Sequence, residues 1–341
     1  MKTIKDVAQR AGVSKSTVSL VLNNSTRVKA ETRTLVRSVM KEMGYVPNAN
    51  ARGLIKSHTY NFGVIEVIES EAYGSYDFSF ETGTFGVNIT NGILTGLSGS
   101  SYGLITERWC NGSTTIPHLL QSKCVDGLFV IGTIYEDSLF RKIKQMKLPV
   151  VAIGRAVRGV NSVFADPGEG AVLGLNYLLE RGHKKICCIN APSFFKSATI
   201  REEAIRSLME KRHLDNDHIF LTNTLHNSGE GGRSAAEKVW KEHGPFDSFL
   251  VANDTMSMGV LRFCYEQHLQ VPDDVSLVAY DDSILCGYAS PGLTSININK
   301  ELSGKLAAAQ MLKIVQTGNS STEQICVPIS LVERSSVKDI K

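Results

Sequence analysis

The chain has 341 residues, 42% of them hydrophobic, so it is long enough to fill two or three domain cores. It contains no apolar run that could span a bilayer, and its seven cysteines form neither a Cys-x-x-Cys pair nor a metal-ligand spacing with histidine. The amino terminus has amphipathic rather than signal-peptide spacing. These features favour a cytoplasmic protein with reduced, mostly buried thiols, and exclude a membrane protein and a disulfide-stabilised secreted one.

Positive charge is concentrated at the amino-terminal end. Residues 1–60 contain 11 Lys/Arg and 3 Asp/Glu, a balance of +8, whereas the remaining 281 residues contain 26 and 31, a balance of −5. A basic segment can be only a solvated surface or a tail, but here the basic residues alternate with a helical apolar period. We therefore expect the first 60 residues, and only these, to bind a polyanion such as DNA.

This basic head has the signals of three helices. Thr3 and Asp6 form a capping signature for a first helix that Gly12 ends, and Ser14 caps a second helix that runs to about Asn23. Two helices joined by a short turn around a glycine match the helix-turn-helix, whose second helix enters the major groove. The third helix, from about residue 30 to 43, is expected to pack through one apolar face: Leu35, Val36, Val39, Met40 and Met43.

The second helix has an apolar face that is expected to pack inward and a second face that is available to contact DNA. Val18, Val21 and Leu22 are spaced to pack inward, which leaves Lys15, Ser16, Ser19 and Leu20 facing solvent or a groove. An exposed leucine can pack on a thymine methyl; the alternative is that Leu20 turns toward the third helix as core. Ser14, Thr17 and Asn23 are expected to contact phosphates.

Residues 45–56 predict a short fourth helix after Pro47, with Asn48 as its cap. Such a helix is too short to be stable alone in water. Its small residues and Leu54 fit a minor-groove wedge, with Arg52 and Lys56 beside it. From the residues alone, a plain linker between domains is the safer interpretation.

After residue 60, short apolar runs alternate with helical patterns at 168–181, 198–213, 229–243 and 254–268. This alternation predicts an α/β body with parallel sheets covered by helices on both faces, and its length favours two similar lobes. Ligands in such folds bind beyond the carboxyl ends of the strands. Asn253 and Asp254 follow one strand and Asp281 and Asp282 another, where a small polyol could be held; Asp254 is the weakest of these because an Asp there is usually a helix cap.

The head resembles that of the LacI/GalR family of bacterial transcription regulators through TIKDVAQRAGVSKSTVS, VLNN, ETR, GYVPN and ARGL. The body carries matching landmarks: VDGLFVIG, ERGHKKI, FLVANDTMSMG, VPDDVSLVAYDD, LTSI and LVERSS. The resemblance implies two Rossmann-like subdomains of the periplasmic-binding-protein type, joined by three crossings that we place near 160–163, 290–294 and 318–323. The predicted DNA-binding domain covers 1–58, with its hinge helix at about 48–57. The predicted N-terminal effector-binding subdomain covers 61–160 plus 294–320, and the C-terminal one covers 161–293 plus 321–341.

The resemblance also implies roles for individual residues. Lys15, Ser16 and Leu20 fall on base-reading positions and Leu54 on the wedge, so that the expected DNA-binding set is Ser14, Lys15, Ser16, Thr17, Leu20, Asn23, Arg27, Asn48, Ala51, Leu54 and Lys56. The expected effector-binding set is Phe85, Arg201, Asn253 and Asp281. No catalytic residue, metal or cofactor is expected.

Several positions depart from the family pattern. Leu20 stands where relatives often have Arg or His, and Lys29 where many have a capping Ser. Asn227 occupies a position that is commonly an aromatic floor for the ligand. The loop after FGVIEVI is long and holds Tyr73, Tyr76, Phe78, Phe80 and Phe85, which could stack on a sugar or could form a hydrophobic flap or a dimer contact.

The sequence therefore predicts a cytoplasmic, nucleoid-associated bacterial repressor. It would bind a near-palindromic operator as a homodimer, since no heptad-bearing tail follows LVERSS, and would respond to a carbohydrate effector. A regulator of the catabolite-control type with a protein co-regulator, and an activator, are the alternatives. A solute-binding transport protein would need a signal peptide and no head, and an enzyme would need a nucleophile and base or a metal site.

Overall fold

A computed structural model describes residues 2–22, 25–45, 58–68, 83–111, 113, 115–132, 137–318 and 321–341. The chain divides into two units, Met1–Tyr60 and Asn61–Lys341. The first unit is helical and the second has two β-sheets covered by helices, which confirms the predicted fold class. Among the described residues, no helix is long and apolar enough to cross a membrane.

The first unit, called the head below, contains three described helices: α1 (Ile4–Arg10), α2 (Lys15–Leu22) and α3 (Ala30–Met43). Their apolar faces meet in one small core built from short side chains: Val7, Ala8, Ala11, Val18, Val21, Val28, Val36 and Val39. Helices this short are marginal in water on their own, so this shared burial is what keeps them folded.

Side chains at the starts of α1 and α2 satisfy polar groups that a helix end leaves unpaired. The Asp6 carboxylate accepts hydrogen bonds from the backbone N–H and the hydroxyl of Thr3, at 2.7 and 2.9 Å. These bonds hold the pKa of Asp6 below its ordinary value. The Ser14 hydroxyl oxygen accepts the N–H of Thr17 at 3.1 Å, and Gly12 takes a φ of 63° in the turn between the helices. Both predicted helix starts are confirmed.

The third helix differs from the prediction at one position. Lys29 is its N-cap residue and makes no side-chain capping hydrogen bond, and Gly44 ends it with a φ of 60° as predicted. Val36 and Val39 are buried, but Leu35 is 49% exposed, so the expectation that Leu35 belongs to the head core is wrong. Leu35 lies one residue, and therefore about 100°, away from Val36 on the helix, which turns it out of the apolar face.

The first sheet of the second unit has six parallel strands in the order β11-β5-β4-β3-β1-β2. Their bounds are β1 (Asn61–Ile68), β2 (Gly103–Cys110), β3 (Gly127–Ile131), β4 (Val150–Ile153), β5 (Asn161–Phe164) and β11 (Gln324–Cys326). This sheet and its helices α4 (Gly83–Gly96), α5 (His118–Ser122), α6 (Asp137–Gln145) and α12 (Lys300–Thr317) form the first lobe.

The second sheet has the order β12-β10-β9-β8-β6-β7, and only its edge strand β12 runs antiparallel to its neighbour. Its strands are β6 (Ile186–Asn190), β7 (Ile219–Asn223), β8 (Ser248–Val251), β9 (Ser276–Tyr280), β10 (Thr294–Asn297) and β12 (Ser330–Val332). Five helices cover it and complete the second lobe: α7 (Pro167–Glu180), α8 (Lys196–Arg212), α9 (Gly229–His243), α10 (Asp254–Glu266) and α11 (Ile284–Tyr288).

Alternate residues of the central strands enter cores on opposite faces of each sheet. In β3, Phe129 packs with Ile89 and Met311 on one face, whereas Leu128 packs with Leu120 and Ile143 on the other. In β8, Phe249 and Leu250 divide in the same way between two clusters. Both faces are therefore covered, which explains why these strands read as continuous apolar runs.

Strand pairing places three short segments in the opposite lobe from the one given by the predicted domain limits. Residues 161–164 and 324–326 pair within the first sheet rather than belonging to the second lobe, and residues 294–297 pair within the second sheet. The chain consequently crosses between lobes at 165–166, 298–299 and 327–329, a few residues after each predicted crossing. The sequence does not predict which sheet these strands join, because each strand is only three or four residues long.

Candidate functional site

The outer surface of α2 presents the side chains that were predicted to read bases. Leu20 is 36% exposed, in contrast to Val18 at 0% and Val21 at 2%, so Leu20 is outside the head core. Lys15 and Ser16 are exposed on the same helix. The helix therefore offers a cation, a hydroxyl and an apolar side chain to a partner, as major-groove reading requires.

Residues predicted to contact phosphates lie at the start of α2. The Ser14 hydroxyl is within hydrogen-bond distance of the hydroxyls of Ser16 and Thr17, at 2.8 and 2.9 Å, so the three form one polar cluster. Arg27 is exposed in the loop before α3, and its backbone N–H donates to Ser25 at 3.3 Å. The other predicted DNA contacts lie outside the described residues: Asn23, Asn48, Ala51, Leu54 and Lys56.

Arg33 is a positioning residue that the sequence analysis missed, although it lies in the ETR motif. Its guanidinium donates to the backbone carbonyl oxygens of Ser25 and Val28, at 3.2 and 3.1 Å. These bonds tie the loop that follows the reading helix to α3. A basic residue within a basic head has no sequence signal that separates this role from DNA contact.

In the second unit, a cavity of about 190 Å³ lies where the two lobes face each other. All four predicted effector-binding residues line it: Phe85, Arg201, Asn253 and Asp281. They come from four separate segments, on α4, on α8, at the end of β8 and at the end of β9. Asn227 lines the cavity too, at the position where the family pattern has an aromatic residue.

Hydrogen bonds hold the Asn253 side chain in the cavity wall. Its Oδ1 accepts the N–H of Met256 at 2.8 Å and so caps α10, while its Nδ2 donates to Oδ1 of Asn227 at 2.5 Å. One amide thus joins the start of a helix to the loop after β7. The amide of Asn227 remains a polar group of the cavity lining.

Arg201 and Asp281 flank Tyr280 in the same wall. The Arg201 guanidinium lies over the Tyr280 ring, with Cζ 4.7 Å from the ring centroid, and donates to Oδ1 of Asn190 at 3.4 Å. Asp281 has a φ of 97°, and burial raises the pKa of its carboxyl to about 6 against the pull of nearby Lys300 and Arg201. The arrangement offers a donor fork and a carboxyl group to hydroxyls of one ligand.

The two neighbouring carboxylates serve the fold instead. Asp254 is 3% exposed and accepts bonds from the N–H of Ser283, the thiol of Cys286 and the hydroxyl of Ser295. Asp282 pairs with Arg334 at 2.8 Å and accepts from Asn297 at 3.0 Å. Asp254 and Asp282 are therefore engaged within the protein. Asn253 and Asp281 are the two strand-end side chains that could contact a ligand.

Lys300 lines the cavity and was not anticipated. It is the first residue of α12, it is only 7% exposed, and its ammonium donates to the backbone carbonyl oxygen of Asp281. A lysine at the start of a helix is normally solvated, so its burial could not be predicted from the local sequence. Glu66 also lines the cavity and pairs with Arg108 at 3.0 Å.

Several cysteines are buried, as the sequence analysis predicted. Cys187 and Cys188 are buried in β6, and burial raises the pKa of Cys188 to about 12. Cys326, by contrast, is exposed. Within the part of the chain that the structure describes, no group of His, Cys, Asp and Glu side chains is arranged to hold a metal ion.

Comparison with known proteins gives the same division of the chain. Residues 3–48 match the lacI family of bacterial regulatory proteins, and residues 175–337 match the periplasmic binding protein-like domain. The HTH-type transcriptional repressor PurR of Klebsiella pneumoniae (strain 342) is 30% identical over 346 residues, covering 99% of this chain and 98% of that protein.

Two solved structures illustrate the shared fold. The lac repressor dimer bound to operator and the anti-inducer ONPF is 25% identical, with a TM-score of 0.83 and 99% of each chain covered. A complex of the transcriptional regulator CelR with cellobiose is 24% identical, with a TM-score of 0.69, covering 98% of this chain and 100% of that one.

The chain therefore belongs to the lacI family of bacterial regulatory proteins. It is a DNA-binding repressor with an effector-binding domain of the periplasmic-binding-protein type. Members of this family are transcriptional regulators, not enzymes.

Proposed function

We propose that this repressor binds its operator as a homodimer and that a carbohydrate in the cavity controls its operator affinity. One observation carries the proposal: four side chains chosen from separate sequence segments, Phe85, Arg201, Asn253 and Asp281, line a single cavity.

The composition of the cavity supports a small polyhydroxylated ligand. Arg201 and the Asn227–Asn253 pair supply donors and acceptors, Asp281 supplies a carboxyl group, and Phe85 supplies an aromatic surface. The volume of about 190 Å³ is below the roughly 300–1,000 Å³ of sites for drug-sized ligands. This favours a molecule of monosaccharide size. Relatives of known structure include complexes with cellobiose and with ribose.

At the DNA end, we propose that Lys15, Ser16 and Leu20 read bases in the major groove. Ser14, Thr17 and Arg27 would contact phosphates and so fix the register of α2. Leu54 would act as the minor-groove wedge of the hinge segment. Two heads held by dimerised bodies would match a near-palindromic operator, as expected of a cytoplasmic regulator that works at the nucleoid.

Ligand control requires that the ligand favour one arrangement of the lobes. A tenfold change in operator affinity corresponds to about 1.4 kcal/mol of coupling between the two sites. Contacts to residues of both lobes, such as Phe85 on the first and Arg201 on the second, provide such a preference because they form together only in one arrangement.

The test is fluorescence anisotropy of the full chain on DNA from upstream of its own gene, repeated with a panel of sugars and sugar phosphates. We expect tight, salt-sensitive binding that one sugar changes by at least tenfold, and we expect Asp281→Ala to keep the DNA binding but lose the response. Tight binding that no sugar changes would refute carbohydrate control and favour a protein co-regulator. Absence of specific binding would contradict the operator-reading role.

A further inference from the structure

Two cationic side chains of the cavity take no part in an ion pair within the described residues. Arg201 comes from α8 of the second lobe and Lys300 from α12 of the first lobe, and both line the cavity. Among the described residues, neither forms an ion pair: Glu66 pairs with Arg108, and Asp254 accepts three hydrogen bonds from uncharged donors.

The hydrogen-bonding capacity of these cations is largely unused. A lysine ammonium has three N–H donors, and in the described part of the chain that of Lys300 has one acceptor, the Asp281 carbonyl oxygen. The Nε of Arg201 is buried and has no partner among those residues. Lys300 is only 7% exposed, and a buried charge without a counter-charge is costly. Arg201 and Lys300 are therefore two positive groups that could bind a negatively charged group of a ligand.

The nearby Asp281 carboxyl does not neutralise them fully. Burial raises its pKa to about 6 although the charges of Lys300 and Arg201 lower it, so the carboxyl is partly protonated in slightly acidic solution. Stacking on the Tyr280 ring fixes the plane of the Arg201 guanidinium, whose fork matches a carboxylate or a phosphate group.

We infer that the effector carries an acidic group, a carboxylate or a phosphate, held between Arg201 and Lys300, so that the physiological ligand is a sugar acid or a sugar phosphate. The inference rests on the proposed carbohydrate site and deepens it. Because the two cations belong to different lobes, an anion between them would join the lobes. The acidic group would therefore contribute to the regulatory change as well as to affinity.

The test compares matched pairs of compounds with the full-length chain. Isothermal titration calorimetry at constant ionic strength would use D-ribose against D-ribose 5-phosphate, and D-glucose against D-gluconate and D-glucose 6-phosphate. We expect one acidic member to bind at least tenfold more tightly than its neutral partner. The gluconate and phosphate arms show which acidic group is used.

Variants then assign the preference to the cavity. Lys300→Gln should reduce the acidic-to-neutral affinity ratio at least tenfold, whereas Lys300→Arg should largely keep it. Lys305→Gln is the matched control, because Lys305 lies on the same helix but is 43% exposed and pairs with Glu301 at the surface. Loss of the ratio in the control as well would assign the preference to overall charge and overturn the inference.

The outcomes separate the two proposals. If a neutral sugar binds as tightly as its acidic partner and changes operator affinity, the carbohydrate proposal stands and the acidic-group inference is refuted. If no member of any pair binds or changes operator affinity, the carbohydrate proposal itself fails, and this inference fails with it.

Discussion

Asn253 joins two functions in one side chain, because its Oδ1 caps α10 while its Nδ2 donates to Asn227 at 2.5 Å. Asn253→Ala should remove both and destabilise the second unit by about 1 kcal/mol, the usual value of an N-cap. Asn253→Ser keeps a capping oxygen but lacks the amide donor. We expect Asn253→Ser to retain the thermal stability of the wild type and still lose the effector response; equal stability loss in both variants would contradict this assignment.

The raised pKa of Asp281 predicts a pH-dependent stability. The folded protein holds this proton up to about pH 6, whereas an unfolded Asp loses it near 3.8. The stabilising contribution is therefore complete below about pH 3.8 and is lost as pH rises through about 6. Asparagine tolerates the positive φ of this position. Asp281→Asn should be more stable than wild type by about 1–3 kcal/mol at pH 7 but not at pH 4.

The control for this prediction is Asp282→Asn at the neighbouring position. Asp282 pairs with Arg334 at 2.8 Å, so its loss should destabilise the protein at pH 7. Urea unfolding at pH 4, 5, 6 and 7 would measure both variants. A stability difference between wild type and Asp281→Asn that does not change with pH would show that this carboxyl does not titrate in that range.

Much of the architecture was predictable because strong local signals coincide with tertiary packing. The short apolar runs of the body became strands, and the capping residues Thr3 and Ser14 marked the helix starts. The cavity residues Asn253 and Asp281 were predictable because parallel strands bring their carboxyl ends to one edge. Family resemblance supplied Arg201 and Phe85, which lie on helices and have no such local signal.

What the sequence did not predict depends on neighbours distant along the chain. The strands at 161–164, 294–297 and 324–326 are short and derive their place from the partner they pair with. Lys300 is buried at the start of α12, a helix that packs closely against α4: a Cβ on Gly304 would overlap the Ile89 carbonyl oxygen. Charge and helical position alone indicate a solvated lysine there.

The exposed Leu20 predicts a specific change in base preference. Leu20→Arg replaces a methyl-contacting group by one that can donate two hydrogen bonds to a guanine edge, so preference should change at one position in each half-site. A library of operator variants measured by anisotropy would detect this as a roughly tenfold change, or about 1–3 kcal/mol per base pair. Leu35→Arg, on an exposed position of α3, is the control and should leave the preference unaltered.

Tyr280 explains why a helix carries glycine at position 170. A Cβ on Gly170 would overlap the hydroxyl and ring of Tyr280, which lies beneath the Arg201 guanidinium and donates to the Pro167 carbonyl oxygen at 3.3 Å. Gly170→Ala should therefore lower the melting temperature and weaken the effector response, although alanine normally stabilises helices. Gly170→Ala combined with Tyr280→Phe should recover part of the stability; no recovery would mean that another contact is responsible.

Lys29 leaves the start of α3 without a capping side chain, and this predicts a stabilising substitution. Lys29→Ser should add a hydrogen bond to a first-turn amide and remove a cation from the positive end of the helix, together worth about 1 kcal/mol. Hydrogen exchange of the α3 amides in the full chain would show slower opening. Lys29→Ala removes only the charge, so it should give the smaller part of the gain. Equal protection in both variants would mean that the serine does not cap, and the benefit would then be electrostatic alone.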